Sequence, residues 1–80
     1  MKITIEDVKD VVEEADVLIG DVNDIKNDIS LGDQGIDSLD IVNIYLLLEE
    51  KYDIKIPDED LDKVKTIDSI VLYINKKLLN

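Results

Sequence analysis

The residue with the most chemistry in it is Ser38, in the run Gly35-Ile36-Asp37-Ser38-Leu39-Asp40. A serine hydroxyl is a weak nucleophile unless a base activates it. The chain has no histidine and no cysteine, so nucleophilic triads built on either are excluded. At the start of a helix a serine is ordinarily just a cap or first-turn residue. Three features of its surroundings point further. The stretch before it, from Gly20 to Gly35, is long and rich in Asp, Asn and Gly, open enough for an enzyme to approach. The helix it opens offers free N–H groups and a positive dipole end, a good seat for a phosphodiester. The residues after it form apolar rows edged with acids, the pattern of a protein-docking face.

Other candidates carry less. Asp58, Asp60 and Asp62 imitate the start of a calcium loop, but Lys63 stands where the turn glycine belongs and Ser69 where the bidentate glutamate belongs. They read as the solvated first turn of a short helix. The usual zinc, haem and iron–sulfur ligand sets are missing. No pair of carboxylates resembles an acid–base pair in a cleft. Tyr45, Tyr52 and Tyr73 fall at core-like positions and read as packing residues. No metal site and no catalytic residue is expected.

The charge narrows the partners. There are 20 acids against 9 bases, every base a lysine, for a formal net charge of -11. Such a field repels nucleic acid and anionic lipid and favours partners with a basic patch. Hydrophobic residues make up 45% of the chain, which is normal for a folded domain rather than a disordered one. The N-terminus shows neither a signal peptide nor a membrane span. A cytoplasmic, monomeric protein with one domain over residues 1–80 is expected.

The elements that must position Ser38 are helices. Thr4 and Asp7 read as a capping box, followed by Ile5, Val8, Val11, Val12 and Ala15 at helical spacing, which predicts a first helix from about Ile5 to Asp16. Val22, Ile25, Ile29 and Leu31 should tie the long loop to the core. Asp37 is the expected N-cap of a second helix reaching about Tyr52, with Asp40 in its first turn. Its stripe Ile41, Ile44, Tyr45, Leu48 and Tyr52 should face inward. A second apolar row, Leu39, Val42 and Leu46, lies among Asp40, Asn43, Glu49 and Glu50, and must be covered by something else. Pro57 breaks the pattern. Residues 58–64 suffice for one or two helical turns. Thr66 opens a last helix with Ile67, Ile70, Val71, Ile74 and Leu78 as its inner face. The fold class is all-α: a four-helix bundle of three main helices plus one short one.

These residues resemble the acyl carrier protein family. Gly35-Ile36-Asp37-Ser38-Leu39-Asp40 is similar to the family's phosphopantetheine-attachment motif, whose core is Asp-Ser-Leu. The likeness continues through Leu48-Glu49-Glu50-Lys51-Tyr52 and Ile54-Lys55-Ile56-Pro57-Asp58-Glu59, and the helix order fits over nearly the whole chain. The resemblance implies that a phosphopantetheinyl transferase esterifies Ser38 with 4'-phosphopantetheine from coenzyme A. The arm's thiol would carry an acyl group as a thioester. Asp37 would help orient the transferase and its metal. Leu39, Asp40, Val42, Leu46, Glu49 and Glu50 would be the recognition face for acyl-chain synthesis enzymes with basic docking patches. Ile56, Leu61, Val64, Ile67, Ile70 and Ile74 would line the space that shelters an acyl chain. Gln34, where the family most often has leucine, and Asn43, where an acid is common, depart from the pattern. A carrier for polyketide, aminoacyl or D-alanyl cargo, a non-carrying acidic adaptor and, distantly, a calcium module stand as alternatives.

Overall fold

Thr4 begins the first helix by capping it from both sides. Its hydroxyl accepts the Asp7 N–H at 3.3 Å, and the Asp7 carboxylate accepts the Thr4 N–H at 2.9 Å. In this computed structural model, which describes residues 2–17 and 20–79, three α-helices follow in order: α1 (Ile5–Glu14), α2 (Ser38–Tyr52) and α3 (Ile67–Leu78). Three short 3-10 segments accompany them, Val22–Asp24, Gly32–Gln34 and Asp58–Lys63. No strand occurs among the described residues. The all-helical expectation holds. The short fourth helix is present too, wound as a 3-10 turn rather than an α-helix.

The apolar spacing places each inner face. Val8, Val11 and Val12 of α1, Ile44, Tyr45 and Leu48 of α2, and Ile67, Ile70 and Ile74 of α3 are buried in one cluster. Ile41 and Tyr52 complete the α2 stripe as partly buried neighbours. Helix α1 packs against both α2 and α3. Ile3 joins the core at the chain's start, where the Asn75 side chain grips its backbone: Oδ1 accepts the Ile3 N–H at 2.7 Å, and Nδ2 donates to the Ile3 carbonyl at 3.1 Å. Such aliphatic burial is the main favourable term in a chain this size.

Two connections set the frame for α2. Asp53, in the left-handed region at φ 54, ends the helix. The Glu49 carboxylate then accepts the Ile56 N–H at 2.7 Å, fixing the exit of the chain. On the entry side, the long loop is bonded to the start of α3. The Leu31 N–H donates to the Lys65 carbonyl at 2.9 Å, and the Asp68 N–H to the Asn27 carbonyl at 3.0 Å. Val22 and Leu31 are buried as expected, and Ile25 packs against the cluster. Ile29 departs from expectation: it is 40% exposed, because polar bonds rather than its side chain hold that part of the loop.

Candidate functional site

The chain reaches Ser38 through a turn that only glycine makes easily. Gly35 has φ 93, a left-handed conformation that is strained for side-chain-bearing residues, and a Cβ there would meet nothing within 4 Å. Ile36, next along, is buried at 7% exposure, and its N–H donates to the Leu31 carbonyl. The backbone is thus held from below while the space beside the turn stays open.

Ser38 is the first residue of α2 and is exposed. Asp37 occupies the N-cap position in extended conformation, as expected, but its side chain makes no capping bond. The missing side-chain bond separates α2 from its neighbours. The starts of α1 and α3 are both closed by capping boxes. The α3 box, Thr66 with Ser69, was not foreseen from sequence, because serine stands where the usual glutamate or glutamine would. Its signal was the Thr-x-x-Ser spacing. At α2, the first-turn N–H groups of Ser38, Leu39 and Asp40 remain without a side-chain acceptor, as helix geometry leaves them. An exposed hydroxyl, open N–H donors and open space at Gly35 fit a phosphate-linked group on Ser38.

The flank of α2 beyond Ser38 divides in two. Leu39, Val42 and Leu46 are 72%, 46% and 55% exposed, the second apolar row standing uncovered. Glu50 is exposed beside it, whereas Asp40 and Glu49 are partly buried. Glu49 is not simply a rim charge, since one of its oxygens holds the Ile56 backbone. Of the residues expected to shelter an acyl chain, Val64, Ile67, Ile70 and Ile74 have zero exposure, Ile56 is buried and Leu61 partly so. Zero exposure leaves no water-sized void against those four side chains, so the group is brought together as packed core.

The remaining polar groups serve the frame. The Tyr45 hydroxyl donates to the Val64 carbonyl at 2.9 Å, and burial pushes its pKa up. The Tyr73 hydroxyl donates to the Asp60 carboxylate at 2.6 Å. Burial, then that bond, pushes the Tyr73 phenol up to about 12, while the same bond and Lys63 hold Asp60 below its ordinary value. Asp60 also pairs with Lys63 at 3.3 Å, and Asp62 with Lys65 at 3.4 Å. Among the described residues no group of three or more acids could hold a metal ion, and no helix is long and apolar enough to cross a membrane.

Comparison with known proteins agrees with this geometry. The family model for the phosphopantetheine attachment site matches residues 6–74. The acyl carrier protein of Bdellovibrio bacteriovorus is 42% identical over 71 residues, covering 88% of each chain. That of Clostridium acetobutylicum is 46% identical over 70 residues, covering 86% of this chain and 88% of its own. That of Helicobacter hepaticus is 44% identical over 72 residues, covering 89% and 92%. With the attachment-site model matching residues 6–74 and relatives 42–46% identical over 86–89% of its length, the chain belongs to the acyl carrier protein family.

Proposed function

We propose that Ser38 is the attachment residue for the 4'-phosphopantetheine arm, and that the protein presents acyl intermediates to the enzymes of fatty acid or related acyl-chain synthesis. The observation that carries this reading is an exposed serine at the one long-helix N-terminus, among the described residues, without a side-chain cap. Ser38 supplies the hydroxyl that becomes an ester oxygen as its proton leaves. The open first-turn N–H groups stabilise the negative phosphate beside it. When bound, the arm contributes a terminal thiol that holds the acyl group as a thioester. Asp37, free of a capping bond, is available to the transferase and its metal. The chain itself acts as substrate and carrier, not as catalyst, in the cytoplasm.

Leu39, Val42 and Leu46 form the apolar centre of the docking face, and Asp40, Glu49 and Glu50 its acidic edge. Charge pairing at such a rim speeds association more than it adds lasting affinity. That suits a carrier that must visit a transferase and several synthesis enzymes and leave each one. A flexible tether raises the effective concentration of cargo at each active site. Ile56, Leu61, Val64, Ile67, Ile70 and Ile74 are the residues an acyl chain would displace on entering the core; it would have to part side chains now in contact. Apo protein incubated with coenzyme A, magnesium and a promiscuous phosphopantetheinyl transferase should gain one phosphopantetheine by intact mass, and Ser38→Ala should gain none. Labelling that survives in Ser38→Ala would move the site elsewhere.

A further inference from the structure

Gln34 sits four residues before Ser38, at the end of the Gly32–Gln34 turn, and its side chain is fully engaged. Oε1 accepts the Lys26 N–H at 2.7 Å. Nε2 donates to the Lys26 carbonyl at 2.9 Å and to the Ile29 carbonyl at 2.9 Å. A primary amide has two N–H donors and a carbonyl oxygen, so both donors and the oxygen are committed to the backbone of a single loop stretch. The two bonds to Lys26 reproduce a backbone pair, and the third reaches over to Ile29. Besides these bonds the stretch has one tie to the bundle, the Asp68 N–H donating to the Asn27 carbonyl at 3.0 Å. Lys26, Asp28 and Ile29 are exposed, and the loop's apolar anchors, Val22, Ile25 and Leu31, lie on either side of it. Segments with few buried apolar contacts open at low free-energy cost unless hydrogen bonds hold them.

We infer that Gln34 is the positioning residue of the attachment site: its amide clamps residues 26–29 onto the Gly35–Ile36 turn and so fixes the one loop arrangement in which Ser38 is offered to the modifying enzyme. This rests on the reading of Ser38 as the attachment residue. The polar atoms of Gln34 bond to the loop backbone and not to the Ser38 hydroxyl. It acts through the loop, by keeping the binding-competent form populated, so its loss reduces apparent affinity rather than the chemical step.

The test uses the full apo chain, coenzyme A and a promiscuous transferase, with Gln34→Ala, Gln34→Glu and Val12→Ala. Glu is isosteric and keeps the acceptor, but when ionised it cannot donate to the two carbonyls, so it carries the test even if Gln34→Ala folds poorly. Val12 lies in the core on α1 and takes no part in the Gln34 bonds, and Val12→Ala reports what general loss of stability does. Amide exchange at Lys26 should quicken roughly 10- to 100-fold in both Gln34 variants, the effect of losing one or more net hydrogen bonds. The KM for the carrier should rise about twofold to tenfold with kcat little changed. Wild-type exchange and KM in Gln34→Glu would overturn the clamp. So would an equal rise in KM in Val12→Ala. Continued labelling of Ser38→Ala would instead overturn the site assignment, which keeps the two failures apart.

Discussion

Removing one oxygen from Tyr45 isolates a single buried bond. Tyr45 is 9% exposed and Val64 is fully buried, and the phenol donates to the Val64 carbonyl at 2.9 Å. Among the described residues no backbone N–H reaches that oxygen. Tyr45→Phe keeps the ring and its packing, so no cavity term enters. What it leaves is a buried carbonyl without a partner, a cost of about 1–3 kcal/mol. An unfolding entropy of about 2 cal/mol/K per residue gives a chain of 80 residues about 0.17 kcal/mol per kelvin. A loss of about 1.5 kcal/mol therefore lowers Tm by roughly 9 °C. That is a sizeable share of the roughly 4–12 kcal/mol available to a domain this small. Thermal and urea unfolding followed by circular dichroism should show the fall in Tm, with a lower urea midpoint and an unchanged m-value. A Tm within about 2 °C of wild type would show that water or relaxation satisfies the carbonyl, and the argument would fail.

Two further outcomes follow from charge. With a net charge of -11, self-repulsion destabilises the folded chain, and Tm should climb as salt shortens the screening length from roughly 30 Å at 0.01 M to about 3 Å at 1 M; a Tm flat across that range would refute the repulsion. The Tyr73–Asp60 bond contributes stability from both ends of the pH scale. Asp60, held below 3.8, loses its share only as pH falls through its folded value, and Tyr73, raised from 10.0, loses its share as pH climbs towards about 12. Carboxyl NMR titration should show the Asp60 midpoint rising in Tyr73→Phe, and an unmoved midpoint would mean that the lysines Lys63 and Lys77 set it.

Most of the scaffold was legible because it rests on period and caps. The Thr4–Asp7 box, the inner stripes of all three helices and the exposed row Leu39, Val42 and Leu46 follow from spacing that a 3.6-residue turn must honour. The departures are polar and local. Gln34 reads as a flaw where a leucine would be ordinary; only three dimensions show that its amide reaches back eight residues to Lys26. Glu49 reads as a surface charge, yet it closes the α2 exit through the Ile56 N–H. Ile29 reads as an anchor, yet bonds to the loop backbone do that work. Periodicity reports which face a residue shares; it carries no information on where a loop's backbone N–H and carbonyl groups find partners.

The contrast among the three helix starts follows from the same accounting. A capping residue adds about 1 kcal/mol to a helix, and α1 and α3 both have one. Helix α2 forgoes it at the end where Ser38 stands. A side-chain oxygen bonded to those first-turn N–H groups would compete with a phosphate for the same donors. The helix can do without the cap because it is fixed elsewhere. Ile36 is buried just before it, Ile44, Tyr45 and Leu48 are buried along it, the Tyr45 hydroxyl ties it to Val64, and Glu49 secures its exit. Local stability is given up at one turn, and the packing of the remaining turns makes that loss tolerable.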